Sequence, residues 1–389
     1  MKKRNVPLKT VLIYIVIAIS IIGIAGSCFL ISQAQFGVDY ACFYTTGKMV
    51  SGGEIAQIYN LRAHHAALEE MLGSVDFFLE WVYPPSFLLI VAPLSYLPYP
   101  GSLAVWLFIS FIPAALAVYL LAGRNKLALL LLFMYPGSFL NIRWGQNGFL
   151  TAGLVAFGVY FVETNPLLAG LAFGLLTFKP QMAVIPFFLL LVLKKWKVLG
   201  WSFVFALALA ALSALVFGVQ TWVDFFTTSF YNAAILGDCT EGAIWGIPTF
   251  STTLRCIGIS GWMYYALLLL VATAAIFSCV RVWKQTQHTT LRLLSLVLCV
   301  FLSLPYVSLY DFAILGIPIT LLFLEWRKNL GASFHPLMLG LLWLLPLISL
   351  IVFLLIKIQI CPFLMMAYML AIVRKAETQS IAQTVPQIV

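Results

Sequence analysis

Asp39 is the acidic residue whose position in the sequence most favours chemistry. It follows the first long apolar run and lies in the stretch "FGVDY", next to Tyr40 and close to other aromatic residues. A carboxylate beside a membrane and among aromatic rings is partly desolvated, which raises its pKa and suits a general base for a hydroxyl group. The same position also suits a helix or turn cap. The spacing alone favours neither interpretation.

Two cations, Arg143 and Lys179, lie in short polar turns between apolar segments. Their stretches are "NIRWGQNG" and "FKPQ". Ionisable groups at membrane depth are unfavourable and usually functional. Arginine binds two phosphate oxygens with its planar fork, and lysine supplies a point charge. We therefore expect a phosphate site, against the alternative that both side chains only extend to the outer headgroups.

Other polar and aromatic residues in the same stretches are candidates for substrate binding. Asp311 begins an apolar segment, where an aspartate is also favoured at a helix N-terminus. Aromatic rings stack on sugars, but they also form interfacial belts in membrane proteins. The adjacent His64 and His65 point to different faces of a helix, and no DxD, HExxH or Walker sequence occurs, so we expect no metal and no cofactor. The substrate-binding candidates are Tyr40, Tyr44, Tyr83, Trp144, Gln146, Asn147, Gln181, Tyr306, Tyr310 and Asp311.

The composition shows what kind of element must position these residues. Of the 389 residues, 63% are hydrophobic and only 9% are charged, against about 25% charged in soluble domains. Apolar runs recur along the whole chain without the period-two alternation of a barrel, which predicts an all-α polytopic membrane protein. The first run, Val11–Ile31, exceeds the apolar region of a signal peptide and is expected to be retained. The net charge of +9 is then an orientation signal rather than a sign of nucleic-acid binding.

The placement of the charges predicts the topology. Pro84–Leu97 is short and rich in proline, so we expect it to be interfacial or re-entrant. Twelve other apolar segments then span the membrane, with both termini inside, although Leu127–Leu140, Pro166–Phe178 and Gln181–Leu193 are too short to span alone. This arrangement puts 16 of the 22 lysines and arginines inside and 10 of the 13 acidic residues outside.

The chain is therefore expected to be one integral membrane domain, 1–389, with its polar turns at one face. The first outer loop is 32–83, the interfacial or re-entrant segment is 84–98, and the second outer loop is 218–261. Residues 47–72 of the first loop predict a helix, a glycine turn and an amphipathic helix that lies in the interface. In the second loop, Cys239 and Cys256 are candidates for a disulfide.

Five stretches, in this order along the chain, resemble glycosyltransferase family 87, of the polyprenyl-phosphate-mannose-dependent mannosyltransferase type. They are "DYACFYTTGKMVSGGEIAQIY" at 39–59, "YPPSFLLIVAPLSYLP" at 83–98, "WGQNGFL" at 144–150, "LAGLAFGLLTFKPQ" at 168–181 and "PYVSLYDFAILGIP" at 305–318. The resemblance implies a GT-C-type helical bundle with an extracytoplasmic active site, and it implies that Asp39 is the catalytic base. The histidine usual in the family is absent from "SLPYVSLYD", where Tyr306 stands instead, and this leaves a second polar catalytic role open.

Together, these observations predict an inverting, metal-independent membrane glycosyltransferase. The enzyme would move a hexose, with mannose as the expected sugar, from a polyprenyl-phosphate donor to a hydroxyl of a lipid or glycan acceptor. Asp39 would remove the hydroxyl proton, and Arg143 and Lys179 would stabilise the leaving phosphate. The expected location is the bacterial inner (plasma) membrane, with membrane lipids around the protein and no nucleic-acid partner. A polytopic transporter, which would show inverted repeats and broken midplane helices, and a lipid-linked glycan ligase or flippase are the alternatives.

Overall fold

The protein, seen in a computed structural model, consists of helices joined by turns and short loops, and no strand occurs among the residues that the structure describes. The predicted first helix, Val11–Ile31, lies largely outside these residues. Its Ser20 Oγ accepts a hydrogen bond from Trp343 Nε1 at 2.7 Å, which places this part of the chain against a later helix. The described residues are 17–18, 20–21, 37–73, 81–235, 246–328 and 334–384.

Most helices in the first half of the chain are short. Proline stands in the first turn of several of them, where its missing N–H is not needed. A 3₁₀ turn (Ile55–Gln57) follows α1, and another (Leu176–Phe178) extends α8. The helices are α1 (Val38–Ser51), α2 (Leu61–Leu72), α3 (Pro85–Leu94), α4 (Tyr99–Leu121), α5 (Lys126–Met134), α6 (Pro136–Trp144), α7 (Gly148–Phe161), α8 (Pro166–Leu175), α9 (Pro180–Val192) and α10 (Trp196–Phe217).

The second half of the chain continues the bundle with helices of very different length, from 7 residues in the shortest to 25 in the longest. A 3₁₀ turn (Leu309–Phe312) leads directly into α15. The helices are α11 (Val219–Ile235), α12 (Phe250–Cys256), α13 (Gly261–Gln285), α14 (Thr289–Ser303), α15 (Ala313–Arg327), α16 (Pro336–Trp343), α17 (Leu345–Ile356) and α18 (Cys361–Thr384).

The described residues contain fewer clear membrane-spanning helices than the twelve predicted. Four are long and apolar enough to cross: α4, α10, α13 and the run Leu309–Arg327. The number is six if the bent pairs α5–α6 and α16–α17 each make one span. The prediction of an all-α membrane protein therefore agrees with the structure, whereas the count of twelve is not confirmed.

The predicted spans Leu127–Leu140 and Pro336–Ile356 are not straight helices, because each bends by 64°. Proline directly follows both bends, at Pro136 and Pro346. Proline restricts the residue before it and removes one helical hydrogen bond, so the axis changes direction there. The predicted interfacial or re-entrant segment contains α3, whose ten residues are too few for a complete span.

Helix α15 lies in the interior and is buried along nearly its whole length. It packs against α6, α7 and α14. On one side of this core, α8 and α10 approach closely because two glycines four residues apart, Gly170 and Gly174, face α10. A Cβ at Gly170 would lie 2.3 Å from the Cβ of Trp201. Small residues at this spacing let two helix backbones pack tightly within a membrane.

One end of the bundle contains several ion pairs between neighbouring segments. Glu163, just after α7, accepts hydrogen bonds from Lys195 at 2.5 Å and from Arg292 at 2.7 Å. Arg281 pairs with Glu377 at 2.6 Å. All five residues belong to segments for which the sequence predicts the inner side, so the structure brings these predicted inner segments together.

The opposite end of the bundle holds the polar turns. Helix α7 begins directly after Asn147, and α9 begins directly after Lys179; both helices run from these residues to the ion-pair end. With 14 and 13 residues, they are about 20 Å long. Helix α15 also begins at the polar end, two residues after Asp311. The fold therefore gathers residues that are far apart in the sequence at one end of three neighbouring helices.

The two predicted outer loops contain their own helices. The helix, glycine turn and second helix predicted for residues 47–72 are present as the end of α1, the turn at Gly52 and Gly53, and α2. His64 of α2 is buried against α1, with Nε2 at 2.8 Å from Thr46 Oγ1. In the second loop, Cys256 is disulfide-bonded, whereas its predicted partner Cys239 lies outside the described residues.

Candidate active site at the Gly145 turn

The turn between α6 and α7 is the centre of the candidate site. Gly145 ends α6 with a φ of 69°, in the left-handed region that glycine adopts without strain. Any Cβ there would lie 2.6 Å from the Cβ of Tyr40. Trp106 Nε1 of α4 donates to the Gly145 carbonyl at 2.9 Å, and the N–H of Gly37 donates to the Arg143 carbonyl at 3.0 Å. A glycine at this position thus allows the start of α1 to pack directly on the turn.

Asp39 lies in the first turn of α1 and is partly buried beside the Gly145 turn. Its Oδ2 accepts a hydrogen bond from Gln146 Nε2 at 2.9 Å. The Gln146 Oε1 in turn accepts from the Tyr83 hydroxyl and from the Asn147 N–H, both at 3.2 Å. The structure therefore joins three sequence-predicted site residues, from three separate stretches, into one hydrogen-bonded chain.

Lys179 forms the second part of the site together with Asp311. Its Nζ donates to Asp311 Oδ1 at 2.5 Å and to Asn147 Oδ1 at 3.1 Å. The ammonium also lies 5.1 Å from the centroid of the Tyr310 ring. The lysine is 2% exposed and the aspartate 1%. Such a pair is stable only because the two charges compensate each other.

Asp311 has a structural role as well. Its Oδ2 accepts from the backbone N–H of Ser308 at 3.1 Å, within a capping box that begins the 3₁₀ turn before α15. The Ser308 hydroxyl also donates to Tyr306 at 3.3 Å. The cap suggested for Asp311 by its sequence position is therefore present, and the same carboxylate binds Lys179 with its other oxygen.

The surroundings of Asp39 change its acidity. Burial raises the pKa of its carboxyl from 3.8 to about 6, against the opposing effects of the Gln146 hydrogen bond and the Lys179 charge; the Asp311 charge raises it further. Burial also raises the pKa of Tyr83 well above its ordinary value, with Asp311 and Asp39 adding to the effect. Tyr306 lies outside the spanning helices, and its pKa is likewise raised by burial and by the charge of Asp39. The tyrosines therefore stay neutral, and Asp39 titrates near neutrality.

Two predicted substrate-binding tyrosines point away from this group. The Tyr40 hydroxyl is 2.5 Å from Ser102 Oγ in the interior, and the Tyr44 hydroxyl donates to the Leu97 carbonyl at 2.9 Å. Both side chains are buried against α4 or the segment before it. They support the position of α1, and their hydroxyl groups bond to Ser102 and Leu97 rather than to Asp39.

The remaining predicted residues lie around the turn. Arg143 and Trp144 end α6, with the guanidinium carbon 5.9 Å from the Trp144 ring centroid. Arg143 is buried, with 7% exposure. Gln181 lies in the first turn of α9 and is partly exposed, and its side chain makes no hydrogen bond to other described residues. The structure thus brings Arg143 next to the turn but does not connect Gln181 to the hydrogen-bonded group.

Ser308 is the site residue that the sequence analysis missed. It completes the capping box with Asp311 and contacts Tyr306. The signal was available, because a serine three residues before an acidic residue at the start of an apolar run is the usual form of this cap. Across the described parts of the chain, no three His, Cys, Asp or Glu side chains come together as possible metal ligands.

Comparison with known protein families gives a match to the central part of the chain. Residues 81–305 match the model of glycosyltransferase family 87, which is more than half of the 389 residues. No curated protein and no solved structure matches the chain. The matched region contains Tyr83, Gln146 and Lys179, whereas Asp39 lies before it and Asp311 after it.

Proposed function

The chain belongs to glycosyltransferase family 87 and is a membrane glycosyltransferase; we propose that its donor is a sugar linked to polyprenyl phosphate. The proposed sugar is a hexose, with mannose as the first candidate. The proposed acceptor is a hydroxyl group of a lipid or glycan at the extracytoplasmic face. The observation that carries this proposal is the partly buried Asp39, whose pKa of about 6 suits a base working near neutral pH.

The proposed reaction is a single displacement. Asp39 removes the proton from the acceptor hydroxyl, whose oxygen then forms a bond to the anomeric carbon of the sugar. The bond from that carbon to the phosphate oxygen breaks, and the lipid phosphate leaves with the electron pair. One displacement inverts the anomeric configuration.

The negative charge of the leaving phosphate needs stabilisation, and we assign this role to Arg143 and Lys179. The charge of Lys179 already acts on Asp39, since it lowers the pKa of that carboxyl. Lys179 is 2% exposed and is held by two hydrogen bonds, so its charge would act on the phosphate from a buried position inside the protein. The lipid phosphate is itself a leaving group, so the proposed reaction requires no metal ion.

The depth of the site suits a lipid-linked donor. The contact between Trp106 and the Gly145 carbonyl places the turn seven residues into α4, which is about 10 Å along the helix from Tyr99. A site recessed along a helix that is long and apolar enough to cross a membrane suits a donor whose tail lies in the lipid. Helix α3, which packs against α1 and α10, is a candidate wall for the isoprenoid tail.

The two different ends of the bundle support the proposed orientation. The ion-pair end contains Lys195, Arg281 and Arg292, and cytoplasmic segments are enriched in lysine and arginine. The site lies at the other end of α7, α9 and α15. We therefore place the site at the extracytoplasmic face of a bacterial inner membrane and both termini in the cytoplasm.

The direct test is transfer from synthetic polyprenyl-phosphate sugars by the purified protein, with product masses measured. Asp39→Ala and Asp39→Asn should lose transfer, while Glu54→Gln, an exposed carboxylate after α1, should keep it. Near wild-type turnover in a folded Asp39 variant would refute the assignment of the base. A product that has gained a whole glycan instead of one sugar would identify a ligase.

The role of Lys179 needs a paired design, because Lys179→Met alone leaves Asp311 charged, buried and unpaired. Such a loss typically destabilises a protein by about 3–5 kcal/mol. The double variant Lys179→Met/Asp311→Asn removes both charges. If Lys179 stabilises the leaving phosphate, the double variant should fold and turn over at least tenfold more slowly, whereas Asp311→Asn alone should keep more activity. Equal activity of the double variant and the wild type would contradict the role.

A further inference from the structure

The orientation of the Gln146 side chain is fixed by two donors. The backbone N–H of Asn147 lies 3.2 Å from one end of the amide, and the Tyr83 hydroxyl lies 3.2 Å from the same atom. A backbone N–H can only donate a hydrogen bond, so this atom must be the amide oxygen. The other end is therefore the NH₂ group, and it donates to Asp39 Oδ2 at 2.9 Å.

This orientation makes the two oxygens of Asp39 unequal. Oδ2 is occupied by the Gln146 donor, whereas Oδ1 makes no hydrogen bond to any residue that the structure describes. An amide NH₂ donates but cannot take up a proton at ordinary pH. The lone pairs that remain for an incoming hydroxyl therefore belong mainly to Oδ1.

We propose that Gln146 is a positioning residue, which holds Asp39 Oδ2 and leaves Oδ1 as the atom that takes the acceptor's proton. Tyr83 supports it by fixing the amide. This inference rests on the proposed function of Asp39 as the base. It also changes the sequence-based assignment, because Gln146 and Tyr83 are then supports of the base rather than groups that bind the substrate.

The hydrogen bond has a second effect on the base. A donor to the ionised carboxylate favours the charged form, and the Gln146 bond lowers the pKa of Asp39 against the larger effect of burial. Without this bond, burial would act with less opposition, and a greater share of Asp39 would be protonated and inactive near pH 6 to 7. Gln146 thus keeps the base ionised at the pH where it is needed.

Other charged or titratable groups also face Asp39, from several elements. None of them donates a hydrogen bond to Oδ2 in the described part of the chain, so a substitution of Gln146 leaves these groups in place around Asp39. A change in the pH profile of such a variant therefore reports the lost hydrogen bond. The groups are Lys179 before α9, Asp311 and Tyr310 before α15, Tyr306 in the loop after α14, Tyr83 before α3 and Tyr99 of α4.

The test is the pH dependence of transfer by Gln146→Leu. A hydrogen bond to a charged group corresponds to a shift of roughly one pH unit. The acidic limb of the pH–activity profile, where transfer falls because Asp39 becomes protonated, should therefore move to higher pH by about that much. Transfer should fall about fivefold at pH 6 and less than twofold at pH 8. The matched control is Thr45→Val, elsewhere on α1, which removes the hydroxyl contact of Thr45 to Met71 of α2. It should leave the profile unchanged.

Two further measurements keep the outcome clear. Tyr83→Phe should shift the limb in the same direction but by less, because the Asn147 N–H still holds the amide. The pH at which thermal stability changes should move with the acidic limb in Gln146→Leu, and this readout requires no turnover. An unshifted limb with a uniform loss of transfer, or a raised KM alone, would overturn the positioning role.

These results also separate the two proposals. If Asp39→Asn keeps its activity, the base assignment fails, whatever Gln146→Leu shows. If Asp39→Asn is inactive but neither the limb nor the stability midpoint of Gln146→Leu shifts, only the positioning role fails.

Discussion

Replacing Asp39 by asparagine is expected to stabilise the folded protein above pH 6 while it abolishes transfer. The carboxyl is partly buried beside the Gly145 turn and is held by Gln146 Nε2. Asparagine has the same shape, and its carbonyl oxygen accepts the same hydrogen bond. The substitution therefore removes the charge with little change in packing.

The magnitude follows from the change in acidity. Burial raises the pKa of Asp39 from 3.8 to about 6, and each pH unit corresponds to about 1.4 kcal/mol. The folded state binds this proton more tightly than the unfolded state, so stability from this group is full below about pH 4 and is lost as the pH rises to about 6. Above pH 6, the ionised carboxylate therefore lowers the free energy of unfolding by about 3 kcal/mol, and Asp39→Asn restores at most that amount.

The assay is thermal unfolding of wild type and variant in one detergent at several values between pH 4.5 and 8, at one scan rate. The difference in Tm should be on the order of 5 °C at pH 8 and should shrink towards zero near pH 4. Glu54→Gln should show no such trend, since this carboxylate is exposed. A Tm difference independent of pH, or a less stable Asp39→Asn at pH 8, would refute the reasoning. A stabilised but inactive variant is the pattern expected of a residue kept for function.

Two predictions concern the scaffold. Gly170→Ala should lower stability by about 1–3 kcal/mol, because the added Cβ would lie 2.3 Å from the Cβ of Trp201. Gly200→Ala, on the open face of α10, is the control and should not lower stability. Equal melting curves for the two variants would contradict the close helix contact. Ser308→Ala should lower stability by about 1 kcal/mol through loss of the cap shared with Asp311, and an unchanged denaturation midpoint would count against that cap.

The local features of the site were largely predictable from the sequence. The polar stretches with Arg143 and Lys179 interrupt apolar runs, although Arg143 lies in the last turn of α6 and not in the turn that follows it. The Gly52–Gly53 turn separates two helices, as the residue types indicate. The bends at Pro136 and Pro346 also had a sequence signal, but the apolar segments around them were predicted to be continuous helices. Proline position is a local property, so it was visible even where its consequence was missed.

The contacts between distant segments were not predictable. Lys179 and Asp311 are 132 residues apart, and nothing in either stretch indicates that they form a buried pair. In the same way, Tyr40 follows Asp39 in the sequence, yet its hydroxyl lies in the interior beside Ser102. Successive residues of a helix point in directions about 100° apart, so neighbours in sequence do not share a face.

The sequence by itself determined that this is a helical membrane protein with an acid and two cations in polar segments, because hydropathy and charge are local properties. The tertiary structure alone decided which of those groups meet. It joined Asp39 to Gln146 and Tyr83, and it paired Lys179 with Asp311. The reason is that helix packing sets which ends come together and how deeply they are buried. That burial, in turn, sets the acidity of Asp39.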